Sequence, residues 1–532
     1  VCSRHNGRFS PAAARKVFPR CRKRFSPHST ALRAGCGNKE DTFFFVHSGG
    51  KAAGMNEKTF PSALPEAKKG VRGRHRVSRI NKELFSMKLS RRRFLVGCSS
   101  AIAAMAGARI GNLAFAQPGD TSRCDMLVVV FLRGGCDALN LVAPQSADEY
   151  QNSRPGLALN NTTVPNAAER LVLSNGLAGA EFWLHPAAAD LYELYQQGVL
   201  AIVHACGLTN GTRSHFDAMD FMERGTPTNK LTSSGWLARH LSSSGVGSAD
   251  GRLPAIAGSA SVPTALLGAS EALAIRQPGS FDLSGDWRYR DEQKRILRSV
   301  YNGSTPLHRE GLNALNTIEQ LSGATLPEPD PGIYTSDSSL ESSFKAIAQL
   351  IKMDIGLQVA TIDYGGWDTH DEQERVFPTR VGDLAGSLQS FYNDLSAYHN
   401  RLTLVVMSEF GRRLTKNASD GTDHGYGGLM LVLGGNVRGG RMYGAWPGLA
   451  KEQLNKRVDL EVTTDYRVVL GEILANRLQN PQLGQVFPGL NADLYNAQVR
   501  GIVSDPAAQP RIDFTPASLG ATTDVYLPLV QN

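Results

Sequence analysis

The chain has 532 residues, with 57 Lys and Arg against 49 Asp and Glu, a formal net charge of +8. The charge is uneven: residues 1–86 hold 19 bases and 5 acids, residues 87–116 add 5 bases and no acid, and residues 117–532 hold 33 bases against 44 acids. The body is therefore acidic, which disfavours a nucleic-acid surface on it, and no nucleic-acid partner is expected.

Residues 1–86 are basic and show no amphipathic period. They precede Met87, where MKLSRRRFLVGCSSAIAAMAGARIGNLAFA (87–116) has the layout of an export signal. Lys88, Arg91, Arg92 and Arg93 form its basic start, Phe94 to Ala108 a weakly apolar stretch, and Ala114-Phe115-Ala116 a small-x-small end. Ser90-Arg91-Arg92-Arg93-Phe94-Leu95 matches the twin-arginine pattern, which predicts the Tat translocon as export partner and a periplasmic or secreted location. A signal starting at Met87 does not work normally behind a long basic leader, so Met87 is read as the start and 1–86 as upstream sequence. A disordered basic tail is the alternative. The apolar run falls short of the roughly 20 residues of a spanning helix, so no stable membrane span is expected. Three cysteines remain beyond it, Cys124, Cys136 and Cys206, and only a Cys124–Cys136 bridge is conceivable among them.

Along 117–532, read as one domain, continuous apolar runs at 125–131, 200–204, 357–362, 402–407 and 429–433 suit strands buried on both faces. Helical segments are predicted at 187–197, 214–224, 290–301, 308–322, 339–354, 380–399 and 464–477. This alternation predicts an α/β fold, a mostly parallel sheet flanked by helices on both faces, which gathers ligands at the carboxyl ends of its strands.

Polar clusters follow those strands: Arg133 to Asn140, Asp363 to His370, Ser408 to Arg412, and Asp423-His424-Gly425 before the last one. Asp137, Asp368, Glu409, Asp423, His370 and His424 are thereby expected on one edge of the sheet, as carboxylates and imidazoles able to bind a divalent cation. Asp368 and His370, two apart, point the same way from an extended backbone. Ser214 is by default the N-cap of the 214–224 helix; its functional reading is a nucleophile at a helix N-terminus. Arg213 and Arg412 are anion contacts or surface charges. The combination points to a metal-assisted hydrolase. An oxidoreductase is disfavoured, because no GxGxxG follows a strand and no CxxCH is present.

The segments FLRGGCDALNLVAP (131–144), TRSHFDAMDFMERG (212–225), SGWLARHL (234–241), GGWDTHDEQ (365–373), SEFGRRL (408–414) and DHGYGGLMLVLGG (423–435) resemble the Tat-exported family called domain of unknown function 1501. That family lies in the alkaline phosphatase and sulfatase superfamily. The resemblance implies an alkaline-phosphatase-like fold and one or two ions of Zn²⁺, Mn²⁺ or Ca²⁺/Mg²⁺. It implies a Ser214 nucleophile, with Thr212 as substitute, and a first metal at Asp137 and Glu409. A second would lie at Asp368, His370 and His424, and Arg213 would hold the anion. The implied substrate is a small-molecule or envelope anionic ester, phosphate before sulfate, since the segment after Ser214 lacks the sulfatase arginine. Where the superfamily has Asp-His, this chain has Glu409-Phe410. Aligning Asp423-His424 there leaves a later His unfilled, so either alignment lacks one imidazole. A non-catalytic extracytoplasmic scaffold with a degenerate site is the rival reading.

Overall fold

Met126–Leu132 is apolar at every position, so it has no face to offer water and must be covered on both sides. The structure, a computed structural model, describes residues 125–244, 253–283, 285–503 and 510–517, and in it this segment is β1, a central strand. The expected leader and signal peptide (1–116) and Cys124 lie outside those residues.

Three short strands, β2 (Val142–Pro144), β3 (Leu171–Val172) and β4 (Phe182–Leu184), form a small sheet of their own. The main sheet holds β1, β5 (Leu200–Gly207), β6 (Ala255–Ala257), β7 (Ala272–Ala274), β8 (Val359–Tyr364) and β9 (Leu402–Ser408). After β9 come the two strands of a separate hairpin, β10 (Arg412–Lys416) and β11 (Thr422–His424). The main sheet resumes with β12 (Gly428–Gly434), β13 (Arg441–Tyr443) and β14 (Thr464–Asp465). Its order is β13-β5-β12-β9-β1-β8-β6-β7, with β14 also on β5. β12 runs antiparallel to β5 and β9, and all other pairings are parallel. The expected fold class is therefore present: a mostly parallel, nine-stranded sheet flanked by helices.

Alternation along β1 shows why both faces are covered. Val128, Val130 and Leu132 join a core with Leu191, Phe344, Ile347, Leu384 and Leu388, from helices Ala189–Gln196, Ser339–Lys352 and Gln373–Asp394. Leu127, Val129 and Phe131 join a second core with Met222, Leu237 and Leu470, from helices His215–Arg224, Trp236–Ser243 and Tyr466–Asn476. Successive strand residues point to opposite faces, so one apolar strand nucleates two cores.

The five predicted strands are all present, each shifted by at most a few residues. Three-residue β6 and β7 are too short to give a periodic signal and are not among the expected strands. The helix expected at 380–399 starts at Gln373 and ends at Asp394, with Pro378 inside it. Its start is fixed instead by buried polar bonds of Gln373, described below. Cys136 and Cys206 are free, buried thiols, and the Cys124 end of the conceivable Cys124–Cys136 bridge lies outside the described residues. Among the described residues, no helix is long and apolar enough to cross a membrane.

Candidate metal centre

The carboxyl ends of β1, β8 and β9 lie on one edge because these strands are parallel neighbours, in register Leu132↔Tyr364 and Leu132↔Ser408. The chain leaves β1 through Gly134, whose φ of +122° suits glycine, and a Cβ there would sit 2.5 Å from the Asp368 backbone nitrogen. That close approach lets the loops after β1 and β8 pack against each other. Beyond β9, a Cβ on Gly411 would stand 1.9 Å from Gly427 O, so the turn into the hairpin also requires glycine. Buried Arg412 ties the loops together, donating to Gly134 O, Gly135 O, Thr422 O, Trp367 O and Asp368 Oδ1.

Three imidazoles and one carboxylate converge in front of Arg412. His424 Nε2 lies 2.8 Å from His215 Nε2, 2.8 Å from His370 Nε2 and 3.2 Å from Asp368 Oδ1. His370 Nε2 is 3.2 Å from Asp368 Oδ1, and His215 Nε2 is 3.4 Å from Asp368 Oδ2. Donor atoms of His215, Asp368 and His424 all lie within 4.8 Å of one another, close enough for one cation. Asp368 keeps 47 % of its side chain exposed, so the cluster opens to solvent.

The opposite nitrogen of each ring decides what the cluster can hold. His215 Nδ1 faces Glu409 Oε1 at 2.7 Å, His424 Nδ1 faces Arg213 O at 2.8 Å, and His370 Nδ1 faces Asp423 Oδ1 at 3.2 Å. A carbonyl and ionised carboxylates only accept, so each Nδ1 carries the hydrogen, and each neutral ring presents a lone pair at Nε2. Three lone pairs and a carboxylate cannot crowd to these distances without a cation or a proton among them. The oriented Nδ1–H is also the usual support of a metal-bound histidine. The residues fit a Zn²⁺-type ion with nitrogen and oxygen donors.

Charges around the cluster tune it. The Glu409 hydrogen bond is the main cause raising His215 above the ordinary imidazole value, against burial. Burial pushes His424 below it, and His215 and Arg412 add to that. At Asp368 burial acts upward, but Arg412, His215 and His424 outweigh it and hold the carboxyl low. A proton and a cation thus compete for the same lone pairs.

Of the expected residues, Asp368, His370 and His424 meet directly. Asp423 touches the cluster through His370 Nδ1, and Asn417 Nδ2 holds its carboxylate at 3.1 Å. Asp368 and His370 come together through a tight turn (His370 N to Asp368 O, 3.0 Å), not along an extended strand as expected. Fully buried Glu409 faces His215 and the Gly134 N–H (2.8 Å), so it stands behind a candidate ligand and not among the converging donor atoms. Asp137 is elsewhere: Arg154 grips it at 2.7 and 3.1 Å, and Gln373 Nε2 donates at 2.6 Å. The structure thus places Asp137, the first-metal ligand expected from sequence, in a buried ion pair with Arg154 and apart from the converging histidines. Ser214 caps helix His215–Arg224, accepting the Asp217 N–H at 3.4 Å. The Arg213 guanidinium pairs with buried Asp459, while its carbonyl supports His424.

His215 is a candidate ligand that the sequence motifs do not single out. Its only sequence signal is its place directly after the proposed nucleophile. It brings a third imidazole to the cluster, beside His370 and His424. Phe410 packs against both rings, with centroids 4.9 Å from His215 and 5.0 Å from His424.

No curated protein matches the chain. A solved structure described as a protein in the alkaline phosphatase superfamily from Vibrio parahaemolyticus is similar over 67% of this chain and 71% of that chain, at 11% identity and a TM-score of 0.25. The resemblance drawn from the sequence motifs is met in the segment holding Asp368, His370, Glu409, Asp423 and His424: residues 336–479 match the family described as Protein of unknown function (DUF1501).

Proposed function

We propose that the protein is an extracytoplasmic, metal-dependent hydrolase of anionic esters, phosphate before sulfate, with its ion held by His215, Asp368 and His424 and bordered by His370 and Asp423. The observation that carries this reading is the set of three imidazoles, each with Nδ1 committed to an acceptor and Nε2 turned toward the others. A bound divalent cation supplies Lewis-acid polarisation of the ester and of the attacking oxygen. Glu409 fixes the tautomer of His215, and Arg412 keeps Asp368 ionised. Ser214 remains the proposed nucleophile, because it adjoins His215 and its hydroxyl is held only by a long bond at the helix start. Arg213 anchors its loop on Asp459 and positions His424. Export through the Tat translocon is part of the same proposal, since a folded metal site is best assembled before export.

The test is elemental analysis of the purified protein and of His424→Ala, with a screen of phosphate and sulfate esters. We expect near-stoichiometric transition metal in the wild type, loss of it in His424→Ala, and loss of turnover in Ser214→Ala with metal retained. Metal-free wild-type protein would overturn the reading. A metal-loaded Ser214→Ala protein with full turnover would remove Ser214 from the mechanism.

A further inference from the structure

Beside the histidine cluster lies a second group of charges that the ion does not use. Asp459 is fully buried, and the Arg213 guanidinium is paired with it. Arg413 Nε stands 4.0 Å from its other oxygen, too far for a hydrogen bond. Arg413 and Lys456 join Arg213 in acting on the Asp459 carboxyl, against the burial that pushes it up. Two guanidiniums thus flank one buried carboxylate, with Lys456 in the turn that carries it. Asp459 Oδ1, Arg213 Nε and Arg413 Nε are buried without a hydrogen-bond partner, and an unmet buried donor is costly.

The backbone presenting these cations is unusual as well. Lys456 and Arg457 both have positive φ, 50° and 64°, an uncommon conformation for side chains of this size. The turn is closed by Asn455 and Asp459, whose backbones exchange bonds of 2.8 and 3.2 Å. It brings Lys456 against the loop before helix His215–Arg224, since a Cβ on Gly211 would meet Lys456 Nζ at 3.8 Å. One link joins this patch to the cluster: the Arg213 carbonyl on His424.

We propose that Arg213, Arg413 and Lys456 form an anion subsite flanking the histidine cluster, which takes a second phosphate or sulfate group of the same substrate. The inference rests on the cluster being the reacting centre, and it narrows the substrate class to esters with at least two anionic groups. The guanidinium edges supply donors suited to anionic oxygens, and the excess of cations over the single buried carboxylate beside them favours such groups.

The experiment is calorimetric titration of the full chain with inorganic pyrophosphate, in metal-loaded and chelator-treated forms. It compares wild type, the double variant Arg413→Ala/Lys456→Ala, and Arg295→Ala as a control that removes an exposed cation elsewhere. We expect the double variant to bind pyrophosphate about tenfold more weakly in both forms, a free-energy change of ~1.4 kcal/mol, with Arg295→Ala unchanged. Equal affinity of wild type and double variant in both forms would overturn the subsite. Elemental analysis separates the two ideas: protein without metal that still shows the tenfold difference keeps the subsite and loses the metal reading.

Discussion

Two polar regions sit at the same edge of the sheet and treat similar residues in opposite ways. Around Asp137 every group is sealed and answered. Asp137, Arg154, Gln373 and His204 are fully buried, the carboxylate is gripped by Arg154 and Gln373, and Gln373 Oε1 accepts from Thr369 (3.0 Å) and Thr422 (2.6 Å). His204 has both nitrogens satisfied, Nε2 on Val142 O and Nδ1 receiving the Ala205 N–H, each at 2.9 Å. Around Asp368 the counterpart is open, and three imidazoles turn unanswered nitrogens toward one another. An aspartate after a strand is therefore not a ligand by position. Both carboxylates meet an arginine, Asp137 with Arg154 and Asp368 with Arg412; what differs is that Asp137 is sealed and also held by Gln373, whereas Asp368 is 47 % exposed and faces His215 and His424.

The sharpest way to break this contrast is Asp137→Ala. Leaving Arg154 buried and unpaired is expected to cost about 3–5 kcal/mol of stability, read by urea denaturation, while elemental analysis still finds the metal at low denaturant. A folded Asp137→Asn protein without metal would instead place Asp137 in the site. Acid provides the next test. Burial pushes the His204 pKa down to about 4, whereas the unfolded chain takes up its proton near the ordinary value of about 6.5. The unfolded state binds more protons between these values, so stability falls as pH drops through that window, by up to about 1.4 kcal/mol per pH unit for this one group. His204→Gln should flatten the dependence by that share, as measured by denaturation at pH 7 and pH 5. On the open side, Glu409→Gln removes the charge behind His215. Weakening of metal affinity by about 10–100-fold is expected, with the fold intact. An unchanged affinity, by competition with a chelator, would demote His215 from the ligand set.

The sheet was legible because β1, β5, β8, β9 and β12 are apolar runs long enough to demand burial on both faces. Parallel order then put the loops after β1, β8 and β9 on one edge without any knowledge of side chains. Within the site, Asp368, His370 and His424 were recoverable from their Gly-rich context. The pairing of Asp137 with Arg154 is not legible, because Arg154 carries no local signature. That pairing exists only once the chain has folded. His215 is not legible, because a histidine in the first helical position shows no spacing motif with partners more than a hundred residues away. Glu409 was placed correctly in space, but its role as an orienting group depends on an Oε1–Nδ1 distance that no sequence pattern states.

The smallest expected effect probes how far the open region depends on its surroundings. Asn417 reaches from the hairpin turn to His370 O at 2.8 Å and to Asp423 Oδ1 at 3.1 Å, so it positions the carboxylate behind His370 and touches no candidate ligand atom of the central three. Its hydrogen bond is also the first cause holding Asp423 below the ordinary carboxylate value. Asn417→Ala should therefore weaken metal binding only about two- to fivefold, near the worth of one net hydrogen bond, ~0.5–1 kcal/mol. Asn417→Asp would put a second negative charge beside Asp423, which favours a proton there over a fixed carboxylate. If Asn417→Ala matched the loss in Glu409→Gln, His370 would rank with His215 as a principal ligand, and the ion would sit closer to Asp423 than the central three donors indicate.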